Sequence, residues 1–89
     1  MTQQEKMEQQ AALFALELID WCEENNRQTG CYQMHGWWFH MVCGEIACRL
    51  QIDLWDVQEV LSMIDESELV FEKEGTLIKG VTYKPTIIK

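Results

Sequence analysis

Basic residues are scarce in this chain. Seven Lys and Arg stand against fifteen Asp and Glu in 89 residues, for a formal charge of −8. The imbalance is uneven: residues 1–68 hold three bases against thirteen acids, a charge of −10, while residues 69–89 set Lys73, Lys79, Lys84 and Lys89 against Glu72 and Glu74, a charge of +2. A phosphate backbone repels the larger part of such a molecule. Long apolar runs are missing too. Nothing approaches the roughly 18 consecutive apolar residues of a membrane span, and the polar start MTQQEKMEQQ lacks the apolar stretch of a secretory signal. The expected location is the cytoplasm, with no membrane partner. There the four cysteines, Cys22, Cys31, Cys43 and Cys48, are expected as reduced thiols that behave as small buried hydrophobes. No Gly-rich phosphate loop or dinucleotide pattern occurs, so no cofactor is expected.

What is present is a hydrophobic content of 47%, enough for one small domain with a single core and too little chain for a separate catalytic domain. Thr2 and Glu5 have the spacing of a capping box, which predicts a long N-terminal helix over about residues 1–26. In it Met7, Ala11, Phe14, Leu18 and Trp21 fall four, three, four and three apart, and Ala12, Leu16 and Ile19 with Leu13 make a second stripe. Two stripes suit a helix covered on two sides, so the first is a candidate dimer or partner surface; a single wide core-facing surface is the plainer reading. ENNRQTG, with Asn25, Asn26 and Gly30, breaks the pattern.

A second helical region is predicted from about Met34 to Leu50, where Gly36 and Gly44 each mark a start, a kink or a close helix crossing. Trp37, Trp38 and Phe39 are consecutive, and three neighbouring aromatics on a helix cannot all point into one core. Asp53 is a suitable N-cap for a third helix in which Leu54, Val57, Leu61 and Ile64 face inward. Beyond Ser67 the period turns alternating: Leu69 to Lys73 and Leu77 to Lys84 read as a hairpin with Gly75 in the turn, ended by Pro85.

The fold class is therefore mainly α with a C-terminal β-hairpin, an α+β domain over residues 1–89. Ile46, Ala47, Leu50 and Ile52 form an I-A-x-x-L-x-I set, Val57, Leu61 and Ile64 continue it, and ESELV at 66–70 leads into the hairpin. With these residues the chain resembles the winged helix-turn-helix over about residues 40–84, which implies a helix-turn-helix region at 34–66 and a β-hairpin wing at 69–84. The pattern is departed from at Gln51 and Glu68, which stand where such proteins often place a glycine for its left-handed backbone. It is departed from again in charge. Winged helices that read DNA present bases and hydroxyls on the outward face of the third helix, whereas here that face has Asp53, Asp56, Glu59 and Glu66 and no base.

Several constellations follow. Trp55 and Met63 set among Asp53, Asp56, Glu59 and Glu66 resemble a protein-binding hot spot with an acidic rim, if the Trp does not fold back onto the core. Cys31, His35, His40 and Cys43 are zinc-type ligands, but their C-x3-H-x4-H-x2-C spacing is no paired knuckle. Cys43, His40 and Glu45 formally supply nucleophile, base and acid without any local signature of catalysis, so an enzyme is not expected. Two functional readings result. One is an acidic interaction module whose protein partner has a basic surface, such as a small inhibitor or adaptor of the kind phages and mobile elements encode, mimicking nucleic-acid charge. The other is a homodimeric DNA-binding transcriptional regulator joined through its N-terminal helix and touching DNA with Lys73, Lys79 and Lys84.

Overall fold

The structure is a computed structural model that describes residues 2–25 and 32–84. The first element, α1 (Gln3–Asn25), starts at the expected cap: the Glu5 amide donates to Thr2 Oγ1 at 3.1 Å and the Thr2 hydroxyl donates to the Glu5 carboxylate at 3.3 Å. Met7, Ala11, Phe14 and Leu18 from its first stripe are buried in this chain's own core with Ala15 and Cys22, and Trp21 packs half-buried against them. This corrects the reading of that stripe as a dimer or partner surface, because side chains already enclosed by α2, α3 and the sheet have no area left for a second chain. The face left open holds Leu13 and Leu16.

A strand, β1 (Tyr32–His35), precedes α2 (Gly36–Arg49), where a helix was predicted from Met34. Gly36 has φ +67°, a left-handed conformation that an α-helix cannot carry through, so the residues before it extend and pair with a later strand instead. Helix α2 closes in a Schellman motif. The Ile52 amide donates to the Ala47 carbonyl at 2.8 Å and the Gln51 amide to that of Cys48 at 3.2 Å, with Gln51 itself at φ +59°. Gln51 thus performs the turn usually given to glycine, at a cost of roughly 1–2 kcal/mol for an L-residue held there. Glu68 needs no such conformation: among the described residues Gln51 is the one non-glycine at positive φ.

The third helix is shorter and less regular than its apolar spacing predicts. Asp53 caps it, Oδ1 accepting from the Trp55 amide at 2.9 Å, but the first turn is a 3-10 turn (Leu54–Asp56) and only Val57–Ser62 are α-helical, as α3. The Ser62 hydroxyl donates to the Glu59 carbonyl at 2.6 Å, the local competition by which serine ends helices. Val57, Val60 and Leu61 are buried and Ile64 half-buried, but Leu54 is 67% exposed, against the expectation that it faces inward.

The chain ends, as described, in the hairpin β2 (Leu69–Glu74) and β3 (Leu77–Tyr83), turned at Gly75 with φ +62°. Strand β3 is central in an antiparallel order β1-β3-β2. A bulge between Glu72 and Lys73 resets the alternation of β3, so that Ile78 and Val81 are both buried and Lys79 is not. Gly80 is required by crowding: a Cβ there would lie 2.8 Å from the Met34 carbonyl oxygen. Pro85 and its effect on pairing lie outside the described residues.

Three helices and a three-stranded antiparallel sheet make an α+β domain compatible with a winged-helix-like fold. Its core joins Phe14 and Leu18 of α1, Phe39, Val42 and Ile46 of α2, Val60 and Leu61 of α3, and Met34, Ile78 and Val81 of the sheet. No helix among the described residues is long and apolar enough to cross a membrane.

Candidate functional site

The six residues expected on one acidic surface divide into two groups. Asp53 and Trp55 stand at the 3-10 turn, both exposed, with Asp56 half-buried beside them. Trp55 is 93% exposed and does not fold back onto the core. Because Asp53 holds the Trp55 amide, the 3-10 turn is fixed and presents Leu54 and Trp55 side by side as an apolar tip between carboxylates. The other group turns toward α1. Met63 is half-buried against the core and lines a cleft with Gln3, Gln4, Met7 and Glu59, and a second cleft contains Met63 and Glu66 with Ala11 and Ala15 of α1. Trp55 and Met63 therefore differ in setting, the one 93% exposed at the 3-10 turn and the other half-buried against the core beside α1.

Gln58 of α3 is tied to the sheet. Its side-chain amide donates to the Ile78 carbonyl at 2.9 Å and its oxygen accepts from the Ile78 amide at 2.8 Å. Strand β1 pairs with β3 only as far as His35 opposite Gly80, and Gln58 takes over the β3 backbone just beyond that point.

A groove of about 210 Å³ lies between α2 and α3, lined by His40, Cys43, Gly44, Leu54, Val57 and Leu61 together with Gln58. Gly44 is in mid-helix, where glycine costs about 1 kcal/mol against alanine. Of the three aromatics at the start of α2, Phe39 is buried, Trp38 half-buried and Trp37 74% exposed. Trp38 Nε1 donates to the Tyr32 hydroxyl at 3.0 Å, and Trp38 stands edge-to-face with both Trp21 and Trp37.

The larger cavity, about 530 Å³, is elsewhere. Glu17, Asp20, Trp21, Glu23, Glu24 and Arg49 line it, and Arg49 already meets the Glu17 carboxylate at 3.4 Å. Nearby the buried Tyr83 hydroxyl donates to Glu23 at 3.0 Å; burial and that carboxylate push the Tyr83 phenol up to about 12.

The remaining candidates disperse. Burial pushes the Cys43 thiol up to about 12, so it stays a protonated thiol where a nucleophile needs a thiolate. His35 ends β1 and His40 lies on α2, both exposed, while Cys31 lies outside the described residues. No three His, Cys, Asp or Glu among the described residues are grouped to hold a metal ion. Cys22 is buried, as expected of a small hydrophobe, but Cys48 is exposed. On the wing Lys73 and Lys84 are exposed, whereas Lys79 is engaged by Glu74 at 3.1 Å, which raises its pKa. No protein-family model matches the chain, and neither a curated protein nor a solved structure matches it.

Proposed function

We propose that this chain is a winged-helix-like interaction module that binds a protein with a basic surface through Leu54, Trp55 and the carboxylates around them. The observation that carries the reading is the exposure of Leu54 and Trp55, 67% and 93%, at a capped and hydrogen-bonded turn. An exposed Trp on a backbone turn that is already fixed is a common anchor of an interface. Asp53 and Asp56 beside it, with Glu59 further along α3, steer a cationic partner, and the chain's charge of −8 extends that field. A basic nucleic-acid-binding cleft is a partner of this chemistry, so an inhibitor or adaptor that imitates nucleic-acid charge is the concrete form of the proposal.

A pull-down from lysate with the wild-type chain and its Trp55→Ala, Asp56→Lys and Glu59→Lys variants tests it. The expected result is a basic protein captured by the wild type and lost from the variants. Recovery of acidic proteins only, unaffected by both charge reversals, would end the reading. The rival, DNA contact through Lys73, Lys79 and Lys84, is weakened by Glu72 and Glu74 on the same hairpin, with Glu74 holding Lys79. A gel shift at low salt, where attraction to phosphate is strongest, is expected to show no retardation at micromolar protein. A shifted band abolished by Lys73→Glu with Lys84→Glu would put the regulator in its place.

A further inference from the structure

Nothing among the described residues asks for a glycine at position 44. Its φ is not left-handed, and a Cβ built there meets no atom within 4 Å. A residue that weakens its own helix and serves no internal contact leaves open space, and here the space is the groove under Leu54. Cys43, Val57 and Leu61 form a buried apolar floor, Leu54 is a lip, and the volume of about 210 Å³ suits one large apolar side chain. Trp37, Met41 and Gly44 fall four and three apart on α2, so the exposed Trp37 and Met41 continue the apolar surface away from the groove. Glu45 and Asp53, the sequence neighbours of the lining residues Gly44 and Leu54, are exposed carboxylates.

We propose that this groove seats one large apolar side chain from a basic amphipathic helix of the partner protein, whose backbone passes close over Gly44 and whose cationic residues meet Glu45, Asp53 and Asp56. The inference rests on the acidic interaction module argued above and names the partner segment it takes. Charge selects the occupant: a second copy of this chain would bring another charge of −8 to the same place, and an anionic membrane surface would be repelled in the same way.

The test titrates the isotope-labelled full chain with three synthetic helical peptides: Leu/Lys, Lys/Ala, and Leu/Glu. The Leu/Lys peptide is expected to bind saturably, shifting the amides of Gly44 and Leu54, and the other two to leave them in place. Gly44→Leu, which fills the groove, is expected to weaken the Leu/Lys peptide by about tenfold or more, the worth of one buried apolar side chain. Leu54→Ser, at an exposed lip, gives the same readout should Gly44→Leu not fold. Equal binding by Lys/Ala (charge alone) or by Leu/Glu (apolarity alone) overturns the proposal. So does undiminished Leu/Lys binding by both variants, or a wild-type dimer in sedimentation that Gly44→Leu dissociates. If the groove variants bind normally while Asp56→Lys still loses a basic protein in the pull-down, the groove fails and the acidic module stands. If the charge reversals have no effect there, the module itself fails.

Discussion

Two stretches of this chain have apolar residues at the same three-and-four spacing and put them to opposite uses. In α1 the series Met7, Ala11, Phe14 and Leu18 is enclosed from end to end; in the series beginning at Leu54, the first member is left in solvent together with Trp55. Helix α1 runs unbroken over 23 residues and lies across both other helices and the sheet, so its stripe meets a covering surface throughout. The 3-10 turn at Leu54–Asp56 rises about 2 Å per residue against 1.5 Å in an α-helix, carrying Leu54 to the lip of the groove while Val57 and Leu61 stay on its floor. Apolar periodicity marks a face; burial also requires something to lie against it.

The comparison breaks most visibly by truncation. Phe14→Ala is expected to destabilise the fold by about 3–5 kcal/mol, and Trp55→Ala to leave stability within about 0.5 kcal/mol, both read from urea unfolding. Comparable losses from the two would mean that Trp55 supports the core and the comparison is wrong. Gln58→Leu, which strips the Ile78 backbone of both side-chain partners, is expected to cost roughly 1–3 kcal/mol and to speed hydrogen exchange at the Ile78 amide. Alkaline pH acts on the enclosed half. Folding raises the Cys43 thiol from 9.0 and the Tyr83 phenol from 10.0, each to about 12. The unfolded chain gives up those protons first, so stability is full below about pH 9 and falls as the pH climbs toward 12. Melting temperature against pH should show that decline, and Tyr83→Phe should flatten its upper part. Smallest is Gln51→Gly, expected to stabilise by roughly 0.5–1 kcal/mol, the relief of the left-handed conformation less the extra entropy of glycine.

The sequence made α1, its cap and the hairpin legible, because each is specified by neighbours: Thr2 with Glu5, Phe14 with Leu18, Gly75 between two alternating runs. Strand β1 was not, since Tyr32–His35 is extended by pairing with β3, some fifty residues away. That Gly36 begins α2 was readable only as one of three options. The site was legible in part. Trp55 and Asp53 were named, but the packing of Met63 beside α1 depends on contacts with a helix some fifty residues earlier in the chain. The turn of Gln58 toward the sheet depends on the β3 backbone that β1 leaves uncovered. Leu54 was misassigned for the reason already given, and the groove beside Gly44 has no signal beyond a glycine in mid-helix.

The bulge in the hairpin bears on how anything can bind here. Among the described residues β2 has a neighbour on one side only, and an open strand edge is the place where foreign chains add themselves to a sheet. At that edge Glu72, Lys73 and Glu74 stand in succession, opposite a bulge at which the register skips Lys79 of β3, a feature that increases local twist. Consecutive charges and a kink are the two common guards against edge-to-edge growth. The β2 edge is thereby guarded both against strand addition by a foreign chain and against aggregation by the same route.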